Sequence, residues 1–148
     1  MKIIRDRSRS FELNEFLKRP LFAHLATASD EGPRESPVWF HWEVGQIWII
    51  GTASDSFPGR IEKEPKCAIG IIDFDVESGK VYHAGFRGHA VVKAFDKHMA
   101  NKLLARYLGP HQESWDPRFK ELDVSNVLIC FTPETVVVRD QSYIAAAL

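Results

Sequence analysis

The chain has 148 residues, 45% of them hydrophobic and 26% charged, with a formal net charge of −1. That composition predicts one folded domain over residues 1–148 and excludes a disordered chain. The near-neutral charge leaves no electrostatic case for nucleic acid or an anionic membrane as partner, and no apolar run nears the roughly 20 residues that span a bilayer.

The N-terminal MKIIRDRSRS has basic residues without an apolar stretch behind them. It does not read as a signal peptide, so a cytoplasmic location is expected. Phe11, Leu13, Phe16 and Leu17 have helical spacing, and Pro20 forbids continuation, which predicts a short helix over 11–17. Residues 21–28 read as a strand, and Asp30-Glu31-Gly32-Pro33 as a turn. Residues 36–42 and 46–51 read as two aromatic-rich strands joined by a tight turn at Glu43-Val44-Gly45. Residues 56–64, with Pro58 and Gly59, predict a loop and a helical turn. A strand follows over 67–73, then a turn over 75–80. Residues 81–94 read as a long strand interrupted by Gly85 and Gly88.

Residues 96–108 are the clearest helix. Asp96 is its N-cap, Met99, Leu103, Leu104 and Tyr107 form one apolar face, and Gly109-Pro110 ends it. Residues 127–138 carry two apolar runs split by Thr132-Pro133-Glu134, which predicts a bulge or a strand-to-strand turn. Six or seven short strands with few flanking helices make the chain mainly β and predict an antiparallel barrel rather than alternating strand–helix units.

Residues 33–73 carry the chemistry. The paired strands offer a flat apolar wall at Val38, Trp39, Ile50 and Gly51, and Gly51 has no Cβ to keep a ligand from the backbone. The loop after them offers the hydroxyls of Thr52, Ser54 and Ser56 and the guanidinium of Arg60, a set suited to phosphate. A ligand with a planar ring at one end and a phosphate at the other satisfies both halves, and flavin mononucleotide (FMN) is such a ligand. The same residues are also those of an ordinary solvated loop beside core strands. Arg87, within Gly85-Phe86-Arg87-Gly88, is the candidate cation for charge that builds on a reduced ring. Trp115 sits in a polar segment after the long helix, where it either caps a partner's site or anchors the loop. Cys67 and Cys130 lie inside apolar runs without metal-ligand spacing and are expected to be reduced and buried. The six histidines are scattered, so no metal site is assigned. No nucleophile–base pair or carboxylate pair supports a hydrolase, and no catalytic residue is assigned.

Several pieces of the chain, in order, resemble the pyridoxamine 5'-phosphate oxidase-like, FMN-binding split-barrel family. They are Leu21-Phe22-Ala23-His24-Leu25-Ala26-Thr27 before Gly32-Pro33, Ser36-Pro37-Val38-Trp39-Phe40, and Ile47-Trp48-Ile49-Ile50-Gly51-Thr52. Ala68-Ile69-Gly70-Ile71, Gly88-His89-Ala90-Val91-Val92 and Phe131-Thr132-Pro133-Glu134 follow at matching spacing, so the resemblance covers roughly residues 16–139. It implies a homodimer with flavin at the interface, the hairpin along the ring and the phosphate on the loop after it. Many relatives carry a lysine where this chain has Phe57, so either Arg60 reaches back to the phosphate, or Arg34 from the preceding strand supplies the charge, or phosphate affinity is reduced; Ser36 on that strand is a further candidate contact. The resemblance implies a flavin-dependent oxidoreductase acting on a small organic molecule. The alternatives are a deazaflavin-dependent reductase and a non-catalytic flavin- or haem-binding protein. No basic extension follows the closing strand before Leu148, so pyridoxamine phosphate is not the expected substrate.

Overall fold

The computed structural model describes residues 1–7 and 10–147; Ser8, Arg9 and Leu148 lie outside the described residues. In chain order the elements are β1 (Lys2–Arg7), α1 (Leu13–Leu17), β2 (Ala23–Thr27), β3 (Arg34–Val38), β4 (His41–Glu43), β5 (Gln46–Gly51) and α2 (Phe57–Lys63). Then follow β6 (Lys66–Asp75), β7 (Lys80–Ala94), α3 (Lys97–Leu108), a 3-10 turn (Gln112–Ser114), α4 (Pro117–Lys120) and β8 (Val127–Asp140). Seven strands hydrogen-bond in the order β3-β2-β6-β7-β8-β5-β4, all neighbours antiparallel, and curl into a half-barrel. The chain is mainly β, as the strand count predicts.

Alternation builds the core. Ala23 and Leu25 of β2, Ile47 and Ile49 of β5, Ile69 and Ile71 of β6, and Ala84 and Phe86 of β7 all turn inward and are buried. On β8, Ile129 and Phe131 point inward before Pro133, but Val136 and Val138 do so after it. The parity changes because Gly88 pairs with Pro133 while Arg87 pairs with Thr135, which leaves Glu134 as an extra residue. The bulge predicted at Thr132-Pro133-Glu134 is therefore real, and it lets both apolar runs of one strand face one core. Gly88 is required there, because a Cβ would collide with the Thr132 carbonyl. The glycines of β7 do not interrupt it; the strand runs unbroken.

The strand predicted over 36–42 is two strands. β3 pairs with β2, and β4 pairs with β5, at opposite edges of the sheet. Trp39 and Phe40 carry the chain across the gap. Phe40 is fully buried, and that burial is what makes the sequence look like one continuous apolar strand. The hairpin is thus β4–β5 alone, turned by Val44 and Gly45 at φ 49° and 73°, a pair of positive values that suits the strand twist. The loop and helical turn predicted over 56–64 are one short helix, α2, with Pro58 in its first turn. β1 has no alternation to detect, since all its residues are exposed, and it pairs in parallel with β8.

Backbone groups at the gap have no strand partner, and α3 supplies one. The predicted Asp96 cap holds: its carboxylate accepts from the His98 and Met99 N–H groups at 2.9 and 3.2 Å. At the other end of α3, Arg106 donates to the carbonyls of Phe40, Leu17 (3.0 Å) and Arg19 (2.7 Å). The Tyr107 hydroxyl accepts from the Phe40 N–H at 3.0 Å and donates to the Leu21 carbonyl at 2.7 Å. Below the gap, Asp73 turns into the core and is neutralised by Arg19 and by Lys80 at 3.0 Å.

Two predictions follow from these bonds. Tyr107→Phe leaves the Phe40 N–H and the Leu21 carbonyl unpaired and should cost about 1–3 kcal/mol in chemical denaturation; a change within error would contradict the role of the hydroxyl. Burial, and then the Arg106 guanidinium, hold the His41 imidazole below its ordinary 6.5, with Lys102 adding and Glu43 opposing. Burial and Arg139 do the same to His83. The unfolded chain takes up these protons near 6.5 and the native chain only lower, so stability is full above that value and lost as pH falls through it. The denaturation midpoint should drop between about pH 7.5 and 5.5, and less so in His83→Gln; an equal drop in the variant would remove that ring from the effect.

Candidate functional site

A cleft of about 1020 Å³ lies along β3 and the crossing segment, beneath α3 and α4. Its size suits a small-molecule ligand. Val38 and Trp39 form one wall. Ile50 joins them because Ile47 and Ile49 turn into the barrel and Ile50 therefore turns out. Leu103 and Leu104, on the apolar face of α3, pack against Trp39 and Ile50 and complete the apolar lining. Trp39 stacks with Tyr107 (centroids 4.5 Å apart, planes 3° apart) and with Phe119 of α4 (5.4 Å, 24°).

The polar loop is folded by Asp55. Its carboxylate accepts from the Thr52 N–H at 2.8 Å and the Thr52 hydroxyl at 2.9 Å, and the Ser54 hydroxyl stands 3.0 Å from that of Thr52. Thr52 and Ser54 thereby line the cleft, as does Ser36 of β3. Past Asp55 the chain enters α2, and Ser56 and Arg60 line a second groove, of about 710 Å³, with Arg34 and Lys63. Arg60 is held there by the Thr27 hydroxyl at 2.8 Å and the Ser56 hydroxyl at 2.7 Å. Arg34 donates to Glu31 at 3.1 Å. The two cavities adjoin twice along the chain. Arg34 in the groove precedes Glu35 and Ser36 in the cleft, and Ser56 in the groove follows Asp55.

Three of the sequence-selected residues lie outside both cavities. A Cβ on Gly51 would stand 2.9 Å from Pro58 Cγ and from Val127 Cγ2, so this glycine serves packing between β5, α2 and β8. Arg87 points out from β7 into a separate groove with Lys66 and Glu134. Trp115 is buried against Leu103 and Leu104, and its indole N–H donates to the Gly109 carbonyl at 2.9 Å; it anchors the loop. Conversely, Asp55, Arg118, Phe119 and Asn126 line the cleft without having been singled out in the sequence. The spacing Thr-x-x-Asp at 52–55 is a recognisable loop cap; the other three have no local signal. Phe57 is buried and lines the cleft, so hydrocarbon rather than a cation stands at that point of the wall.

Both cysteines are buried and unpaired, and burial pushes the Cys67 thiol up to about 11, far from a reactive thiolate. Among the described residues no cluster of metal-ligating side chains occurs, and none of the cleft's lining residues is a histidine. The cleft thus offers apolar lining at Val38, Trp39 and Ile50, and the neighbouring groove offers Arg34 and Arg60 beside Asp30, Glu31 and Glu64.

No family model matches the chain, and no curated protein matches it. Solved structures do. A conserved hypothetical protein from Mycobacterium tuberculosis is 16% identical with a TM-score of 0.78, over 100% of this chain and 98% of that one. An F420 reductase is 24% identical with a TM-score of 0.65, over 86% of this chain and 98% of that one. The haem storage protein of Vibrio cholerae is 16% identical with a TM-score of 0.67, over 88% of this chain and 93% of that one. The chain has the split-barrel fold of the pyridoxamine 5'-phosphate oxidase-like proteins, the fold its ordered motifs resemble.

Proposed function

We propose that the cleft binds the ring of a flavin-type cofactor, FMN first, and that the protein is an oxidoreductase acting on a small organic substrate. One observation carries this reading: β3 and the 52–56 loop contribute both to an apolar cleft and to a neighbouring groove lined by Arg34, Arg60 and Lys63 beside Asp30, Glu31 and Glu64. A bound flavin supplies hydride or electron transfer; the protein supplies position and electrostatics. Val38, Trp39 and Ile50 offer apolar contact, and Leu103 and Leu104 exclude water. Thr52 and Ser54 offer hydroxyls to polar atoms between ring and phosphate. Arg60 is pre-oriented by Thr27 and Ser56, so little side-chain freedom is lost when it meets a phosphate.

A deazaflavin is the second reading, favoured by the buried Phe57 in the cleft wall. Haem stands behind both, because the cleft lining offers no histidine as axial ligand. A homodimer with the cofactor at its interface is part of the proposal. Exposed Phe22, Ile72 and Phe74, on or beside β2 and β6, support it as apolar surface for a second copy. No helix among the described residues is long and apolar enough to cross a membrane; a cytoplasmic site of action is proposed.

The absorption spectrum of the purified protein, followed by FMN titration, tests the reading. Flavin bands, or saturation at one FMN per chain near micromolar concentration, are expected. Arg60→Ala should weaken FMN binding by about 1.5–3 kcal/mol and leave riboflavin binding unaltered. An unchanged FMN dissociation constant would remove Arg60 from the site. A protein that ignores FMN but binds a deazaflavin tightly would select the second reading.

A further inference from the structure

We infer that α4 builds a separate anion anchor in the same cleft, and that Arg118 holds the carboxylate of a planar aromatic or conjugated acid there. As an assignment of substrate class this rests on the flavin reading; as a binding site it stands alone.

Three charged side chains line the cleft: Glu35, Asp55 and Arg118. The two carboxylates are already engaged. Glu35 lies 2.5 Å from His24 Nδ1, and Asp55 accepts both the N–H and the hydroxyl of Thr52. Arg118 is different. Its ion-pair partner, Asp116, stands 3.8 Å from Nε, beyond hydrogen-bond reach, and that same carboxylate oxygen accepts the Arg118 backbone N–H at 3.1 Å. The guanidinium lies 4.8 Å over the Phe119 ring. A guanidinium presents a planar fork of donors that matches a carboxylate.

The surroundings select the rest of the ligand. Phe119 stacks with Trp39, and both line the cleft, so the cation sits beside a set of stacked, partly exposed rings. A planar acid can meet the exposed edges of those rings with its carboxylate in the fork. The segment that carries the anchor is held in place, while the Arg118 side chain itself is exposed. Asp116 caps α4, Pro117 fixes its first turn, Lys120 donates to the Glu113 carbonyl at 2.7 Å, and the buried Trp115 pins the segment to α3. Arg34 and Arg60, which face the other groove, sit on β3 and α2. The cavity system therefore presents cations from two independent parts of the chain, one suited to a phosphorylated cofactor and the other to an acidic second ligand.

Calorimetric titration with 2-naphthoate and with 2-naphthamide, on flavin-free and on FMN-saturated protein, tests the anchor. The two probes share shape and ring and differ in charge. The acid should bind about tenfold more tightly, and Arg118→Gln should erase that preference while Arg118→Lys keeps part of it. Equal binding of the two probes, or a preference that survives in Arg118→Gln, would overturn the proposal. The FMN titration of the same protein reads separately. Acid preference without FMN binding sustains the anchor and contradicts the flavin reading; FMN binding without acid preference does the reverse.

Discussion

The gap between β3 and β4 is the constraint on which this structure turns. A sheet with two unjoined edges must satisfy the backbone that crosses between them, and here one helical turn does so. Arg106 and Tyr107 hold carbonyls and an N–H from α1's end, the segment before β2 and the crossing residue Phe40. Burial lowers the Arg106 pKa from its ordinary value, yet a guanidinium keeps its charge there and donates in several directions at once. The same bonds fix α3 against β5 and turn Trp39 outward onto Tyr107. Closure of the barrel and formation of the cleft are thus one event: α3 carries the clamp and, one turn earlier, the Leu103–Leu104 wall.

Charge is arranged around this apolar wall rather than within it. Asp55 folds the 52–55 loop by accepting from the Thr52 N–H and hydroxyl. Behind it, α2 directs Arg60 to the far side of the loop, where Arg34 and Lys63 join it. A ligand that fits both cavities has to be long, flat at one end and anionic at the other. That is a demand on ligand shape, and it follows from where one aspartate and one short helix place the chain.

Features written in local chemistry were legible in the sequence. The Asp96 cap, the apolar face of α3 and the Pro133 irregularity each depend on residues within a few positions, and each stands where predicted. The split of 36–42 was not legible, because Phe40 keeps the run apolar while it changes edges. β1 was not legible either, since a fully exposed strand shows no period. At the site, Val38, Trp39, Ile50, Thr52 and Ser54 were readable as a wall and a loop. Gly51, Arg87 and Trp115 are placed by partners distant in sequence: Val127, the outward register of β7, and the Leu103–Leu104 pair. Arg118 and Phe119 reach the cleft from a four-residue helix that no periodicity announces.

The most direct measurement is a crystal structure of the protein soaked with FMN. The account predicts the flavin ring against Val38, Trp39 and Ile50, with its phosphate within hydrogen-bond reach of Arg60 or Arg34. A ring bound elsewhere, or a phosphate directed away from both arginines, would contradict it.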